Sequence, residues 1–332
     1  MKKFKAVMSQ ELSILSDNIQ RTGDPLGMRA MYWTEWAKGL GLPRAGETVV
    51  FTGRMYQMLP YVSSLASLLG SAQRVLQEGR TIGNIISVGN RLLGDQIIRL
   101  RANKEQKFKS TAVLRGIVKA LSVTGCKPAY LYDDEPYSGA LLYDLGLDGF
   151  LREHVNKVYS TLERHGVRQV ICVDPHTLFM LREVYPKYIN DYKLEIKHYI
   201  DVLLENVDEL REIQKGNIGG GFVIHDSCFM ARSLGIVEQP RKLLRSLGVK
   251  TLEPENTKLN TSCCGGPIEY AYPRLSALVS RERAEELARV SKNILVQCPF
   301  CLLNLGKYQQ ELGIKVLDLG EFIWMILKQG QP

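Results

Sequence analysis

NILVQCPFCLLNLGKYQQELGIKVLDL, residues 293–319, decides the fold. NILVQ (293–297) is a short apolar run, and IKVLDL (314–319) is another. Between them Leu302 to Leu312 carries a helical pattern. A strand–helix–strand unit of this kind predicts parallel pairing. Working outward, the rhythm repeats. GFVIHD (221–226) and VKTLE (249–253) read as strands, Pro240 to Leu247 and Gly320 to Lys328 as helices. Pro273 to Asn293 reads as a long helix, its proline suited to the first turn.

The first half follows the same grammar. GETVVFTG (46–53) predicts a strand entering a loop, PAYLYD (128–133) and VRQVICVD (167–174) predict buried strands, and a helix is expected over about 149–165. Residues 57–121 are helical in pattern with glycine breaks at 70, 79, 83, 89 and 94, and residues 190–214 predict a further helix. MYWTEWAKGL (31–40) predicts a short helix whose Trp33 and Trp36 serve as core filler or as a partner-docking face. KGNIGGG (215–221) is the expected hinge. The expected organisation is a lead-in segment (1–46), one α/β domain (47–214) and a second (221–328), each with a parallel sheet and helices on both faces.

A length of 332 residues gives two domains enough chain for separate cores. With 45% apolar and 23% charged residues the composition is that of a soluble globular protein. No apolar run approaches the roughly 18 residues of a membrane span. The N-terminal MKKFKAVMSQELSILSDN lacks the apolar stretch of a secretory signal, so the expected compartment is the cytoplasm. The net charge of +8 comes without an RNA-binding motif, zinc-finger spacing or basic helix, which argues against nucleic acid. It fits an acidic protein partner or a buried anionic cofactor. The basic stretch Arg99, Arg101, Lys104, Lys107, Lys109 has the ordinary reading of a solvated helix face.

Cysteine usage is uneven. Of seven cysteines, Cys228, Cys263, Cys264, Cys298 and Cys301 crowd into one quarter of the chain, while Cys126 and Cys172 stand alone. In a reducing compartment such a group points to metal or redox chemistry. CPFC alone suits zinc, redox exchange or a cluster. Adjacent Cys263 and Cys264 are more informative, because neighbouring thiols reach two irons of a cluster more readily than one tetrahedral ion. Five thiolates also exceed the four that zinc accepts. Zinc held by four of the five, and a thioredoxin-like CPFC, are the competing readings. Cys228 and Cys298 each follow a predicted strand, where parallel sheets gather their ligands. The Cys263–Cys264 loop precedes the long helix, whose N-terminus would face an anionic group.

The pattern Cx(n)CCGx(n)CxxC, with HDSCFMAR around Cys228, QPRKLL at 239–244, SCCGG at 262–266 and VQCPFCLLNL at 296–305, resembles the CCG domain found in the B and D subunits of heterodisulfide reductase and in their relatives. The resemblance implies that all five cysteines ligate an iron–sulfur cluster, which in the B subunit is a noncubane [4Fe-4S] cluster; spacing alone does not separate this from a cubane. The family carries two CCG copies. VVFTGRMY (49–56), LYDDEPYSGALLYDLG (131–146) and VICVDPHTLFMLREVYP (170–186) resemble a first copy without its ligands, with Arg54, Tyr132, Asp133, Asp174 and Thr177 at cysteine positions.

The implied function is that of a heterodisulfide reductase-like oxidoreductase subunit with one cluster, exchanging electrons with a small thiol or disulfide. The alternatives are a non-catalytic electron-transfer or scaffold subunit, or a zinc-bound structural module. No ferredoxin-type CxxCxxC run is present, so the implied electron partner is a ferredoxin-like protein resembling the C subunit of heterodisulfide reductase, together with other subunits of a reductase complex. His225, beside Cys228, is a candidate proton relay or a hydrogen-bonding cap on the cluster. His176 with Asp174 is a candidate for the same cleft from the other half. Arg54 and Asp133 are candidates for the substrate side of that cleft. A buried Arg54 would need Asp133 or Asp174 as its partner.

Overall fold

The computed structural model describes residues 15–61, 100, 102–214, 218–269 and 272–329. The N-terminal segment before residue 15, the glycine-broken stretch 62–99, Arg101 and three residues of the expected hinge (215–217) lie outside the described residues.

Two all-parallel sheets carry the chain. The first has the order β1 (Thr48–Phe51), β2 (Gln169–Cys172), β3 (Glu195–His198). The second has the order β5 (Lys250–Leu252), β4 (Gly221–Ile224), β6 (Asn293–Val296), β7 (Lys315–Asp318). Val49, Val50, Phe51, Val170, Ile171 and Cys172 are all buried, as strands covered on both faces require. Ala129 adds a single parallel bridge beside Val49, on the side of β1 away from β2. The two sheets therefore share one layout: Ala129–β1–β2–β3 corresponds to β5–β4–β6–β7.

Three expectations change. PAYLYD does not form a strand: only Ala129 bridges, and Tyr132–Asp134 turn into a 3-10 helix with Tyr132 at a φ of 50°. Residues 190–214 are not one helix but β3, then helices Tyr199–Glu205 and Val207–Ile213. The charges of EIKH mask its strand character; it sits at the sheet edge, where only His198 of the four is fully buried. MYWTEWAKGL forms two 3-10 turns, Ala30–Trp33 and Glu35–Ala37, rather than one helix. Both tryptophans are buried, Trp33 Nε1 donating to Asp24 and Trp36 Nε1 to Tyr130 Oη, so they pack the interior and offer no docking face.

Apolar contacts run without a break from the first sheet into the second. Helix Lys104–Val123, whose side chain-capped start at Asn103 is followed by a buried Val113–Ile117–Leu121 face, lies against the last helix, Leu319–Gln329. The crossing is close because both helices use glycine: a Cβ on Gly116 would lie 2.0 Å from the Gly320 carbonyl oxygen. Arg182 of the first half donates to the Leu234 carbonyl of the second. No helix among the described residues is long and apolar enough to cross a membrane.

Candidate metal centre

Three loops at the carboxyl ends of adjacent strands β4, β5 and β6 carry the five cysteines. Cys228 leads into one π-helical turn, Phe229–Ser233. Cys298 is the N-cap of helix Pro299–Gly306, and Cys301 lies one turn on, so both thiols share a face. Between Cys264 and the turn Gly266–Ile268 the chain reverses through Gly265 at a φ of 77°. A Cβ on Gly265 would meet the Ser276 carbonyl at 2.6 Å, so only glycine closes this loop.

The thiols lie together: Cys264 Sγ is 3.4 Å from Cys301 Sγ, and Cys228 feels the charges of Cys263, Cys264 and Cys298. Cys264, Cys298 and Cys301 are buried and Cys228 and Cys263 half-buried; none is in a disulfide. The Gly265 N–H donates to Cys263 Sγ at 3.3 Å.

Around the sulfurs, the second half supplies buried polar groups. His225 Nε2 is 3.2 Å from Cys301 Sγ, and its Nδ1 accepts from Arg283 Nε at 3.1 Å. Burial, then the positive charge of Arg283, hold the His225 imidazole down at about 3, so it is neutral near pH 7. Arg283 is buried and also donates to Glu286 at 2.7 Å. Asp226 turns away from the sulfurs to a bidentate pair with Arg241, at 2.8 and 2.9 Å. A polar cavity of about 300 Å³ opens beside Cys263, lined by the carboxylates Glu255, Glu282 and Glu286 and the guanidiniums of Arg283 and Arg289, with Asn256 and Ser262.

The first half closes another side. His176 packs between Phe229 and Phe300, tilted against the first and edge-on to the second, at ring-centroid distances of 4.2 and 5.0 Å, with Nδ1 3.9 Å from Cys298 Sγ. Asp174 accepts from the His176 and Thr177 backbone N–H groups and so fixes this loop. Tyr56 donates to Asp318 across the halves at 2.6 Å.

Arg54 and Asp133 are placed differently from each other. Arg54 is buried, with Nη1 3.4 Å from Asp24 and Nε donating to the Glu135 carbonyl at 3.1 Å. Asp133 is exposed, and Asp174 is committed to its helix cap. The expected ion pair with Asp133 or Asp174 is therefore corrected to Asp24, from the lead-in segment. Glu135, two residues beyond Asp133, takes the buried position; its carboxylate accepts from the Thr52 N–H, the Thr52 hydroxyl and the Tyr130 hydroxyl. Arg283 and Glu286 were not legible as site residues: in RERAEELARV only the i,i+3 spacing distinguishes them from a solvated charged face.

Residues 222–306 match the family model for the CCG cysteine-rich domain. The chain therefore carries a CCG cysteine-rich domain at residues 222–306. It is similar to the EtfAB:quinone oxidoreductase of Syntrophomonas wolfei, 26% identical over 64% of this chain and 31% of that protein. It is also similar to the probable iron–sulfur-binding oxidoreductase FadF of Bacillus subtilis, 26% identical over 65% of the chain and 31% of the relative. The D subunit of the dihydromethanophenazine:CoB–CoM heterodisulfide reductase of Methanosarcina mazei is 24% identical over 65% of the chain and 55% of the relative. The chain thus spans between about a third and about half of these relatives. Two of these relatives are named as oxidoreductases, one of them as iron–sulfur-binding, and the third as a reductase subunit.

The donors fit an iron–sulfur group. Five soft sulfur ligands at one sheet edge, one accepting a backbone N–H and three of them buried, suit a cluster better than a single ion.

Proposed function

We propose that this CCG-domain protein is a redox subunit of a heterodisulfide reductase-like system. In this reading Cys228, Cys263, Cys264, Cys298 and Cys301 hold one [4Fe-4S] cluster, noncubane in form, and a small thiol or disulfide approaches through the cavity at Cys263. When bound, the cluster supplies electron transfer to or from the substrate sulfur.

The observation that carries the reading is the gathering of five cysteines on three loops at one sheet edge, with Cys264 and Cys301 3.4 Å apart, beside an open polar cavity. On the side facing the first half, His176, Phe229 and Phe300 fill the space next to Cys298. The same contrast favours a substrate-handling subunit over a purely electron-transferring one, which needs no cavity. Arg289, beside Glu255, Glu282 and Glu286 on the cavity wall, would meet polar groups of the substrate, while Arg283 is committed to His225, Glu286 and Thr261. His225, buried with Arg283 Nε donating to its Nδ1, serves as a hydrogen-bonding cap rather than as a proton relay. Electrons would be exchanged with a ferredoxin-like protein and with other subunits of a reductase complex, in a cytoplasmic setting.

Anaerobic purification with iron, sulfide and zinc analysis and EPR tests this. The expected result is about four irons per chain with matching sulfide, and an EPR signal that changes when a small thiol is added. Zinc without sulfide, or about eight irons, would overturn it.

A further inference from the structure

Behind the ligand Cys301, Glu286, Arg283 and His225 form a buried chain in which each link is short and directional. Glu286 Oε2 accepts from Arg283 Nη1 at 2.7 Å. Arg283 Nε donates to His225 Nδ1 at 3.1 Å. His225 Nε2 lies 3.2 Å from Cys301 Sγ. Arg283 and His225 are each 1% exposed, and Arg283 Nη2 adds a bond to Thr261 Oγ1 at 3.4 Å.

A guanidinium N–H is always a donor. His225 Nδ1 facing it must therefore be the acceptor, which leaves the ring proton on Nε2. That proton points at Cys301 Sγ. We propose that Arg283 is a positioning residue that locks His225 in its Nε2–H form, making it a fixed hydrogen-bond donor to the Cys301 thiolate and raising the reduction potential of the bound cluster. The inference rests on the cluster reading above and deepens it. A hydrogen bond to a ligand sulfur stabilises the more negative, reduced state, so its loss lowers the potential. Glu286 lines the cavity as well as holding Arg283, so the same chain links the cavity wall to a ligand.

Redox titration of the purified iron protein followed by EPR is the first test. Arg283→Met and His225→Phe are each expected to lower the midpoint potential, and Arg283→Lys to restore part of it. The double variant should match His225→Phe alone, because an effect acting through His225 vanishes once His225 is gone. An Arg283→Met potential equal to wild type, or a drop that persists undiminished in the His225→Phe background, would overturn the proposal; the latter would show a charge effect alone.

The tautomer is read separately, in wild-type protein loaded with zinc, by long-range 15N–1H correlation of the His225 ring. A proton on Nε2 with Nδ1 unprotonated supports the proposal; a proton on Nδ1 overturns it, even where Arg283→Met fails to take up metal. Iron and sulfide analysis of the wild type decides the cluster reading on its own, so the two failures are distinguishable.

Discussion

In the second half, the loops after β4, β5 and β6 gather five thiols at one edge, Cys264 and Cys301 3.4 Å apart. In the first half, the loops after β1, Ala129 and β2 present Arg54, Glu135 and Asp174, tied into salt bridges, hydrogen bonds and a helix cap. The backbones are alike: Asp174 and Cys298 are both N-caps of a helix that opens with proline. Their side chains differ in what they are free to do. The Asp174 carboxylate accepts two backbone N–H groups, whereas Cys298 makes no side-chain cap bond and leaves its sulfur available. One sheet edge thus serves as a ligand cage when its loop residues keep their donors free, and as a polar plug when they turn those donors on the backbone and each other.

The sharpest way to break this comparison is to remove a thiol from each half. Cys264→Ser takes out the thiol 3.4 Å from Cys301, while Cys172→Ser changes a thiol enclosed within β2. Cys264→Ser is expected to lose most of its iron and Cys172→Ser to keep nearly all of it, since a lone buried cysteine fills space. Iron analysis of both under anaerobic conditions checks this. Equal loss would mean that the two halves are not divided into cage and plug.

A middle-sized effect is expected at the plug itself. Arg54→Met leaves the buried Asp24 carboxylate without its cation and removes two donors from the Glu135 carbonyl. Breaking a buried pair by one partner costs about 3 kcal/mol. Asp24 keeps its bonds from Leu26 N and Trp33 Nε1, and burial already pushes its carboxyl upward, which softens the loss. Denaturant unfolding should show the lower midpoint, with iron per folded chain unchanged. Iron loss at an unchanged midpoint would place Arg54 with the cluster instead.

The cage was more legible in the sequence than the plug, for a physical reason. Thiols have few uses in a chain that forms no disulfides, so the spacing of Cys228, Cys263, Cys264, Cys298 and Cys301 carried the chemistry, and short apolar runs such as NILV and GFVI carried the strands. Polar side chains have many uses, and their partners are set by tertiary folding. The pairing of Arg54 with Asp24 spans 30 residues, and that of Arg283 with His225 spans 58; neither leaves a local pattern. Asp133 and Glu135 differ by one alternation along an irregular loop, and the positive φ of Tyr132 decides which of them faces inward. β3 was lost because an edge strand exposes one side and can carry charges such as Glu195 and Lys197.

The finest test concerns the charge state of the plug. Glu135 is buried with Arg54 beside it, and two views of it compete: an ionised carboxylate in a buried pair, or a neutral acid. Burial pushes its carboxyl up to about 7, outweighing the bonds from Thr52, the charge of Arg54 and the bond from Tyr130. The usual value for glutamate is 4.5. Between these two values the unfolded chain has released this proton and the folded chain still holds it. The folded state then binds more protons, so stability falls as pH rises through this window, by at most about 1.4 kcal/mol per pH unit for one group. Asp318, raised to about 7 by burial, acts in the same direction; His154 and His198, lowered to about 4 and about 3, act in the opposite one. The wild type alone would therefore mix these contributions. Glu135→Gln removes one of them and leaves the others in place. Measured by denaturant unfolding at pH 5, 6 and 7, the wild type should lose roughly 1–2 kcal/mol relative to Glu135→Gln over that range. A difference that stays constant from pH 5 to 7 would mean that Arg54 holds Glu135 ionised throughout, and that the first half replaced a cluster by a true buried ion pair rather than by a neutral hydrogen-bonded network.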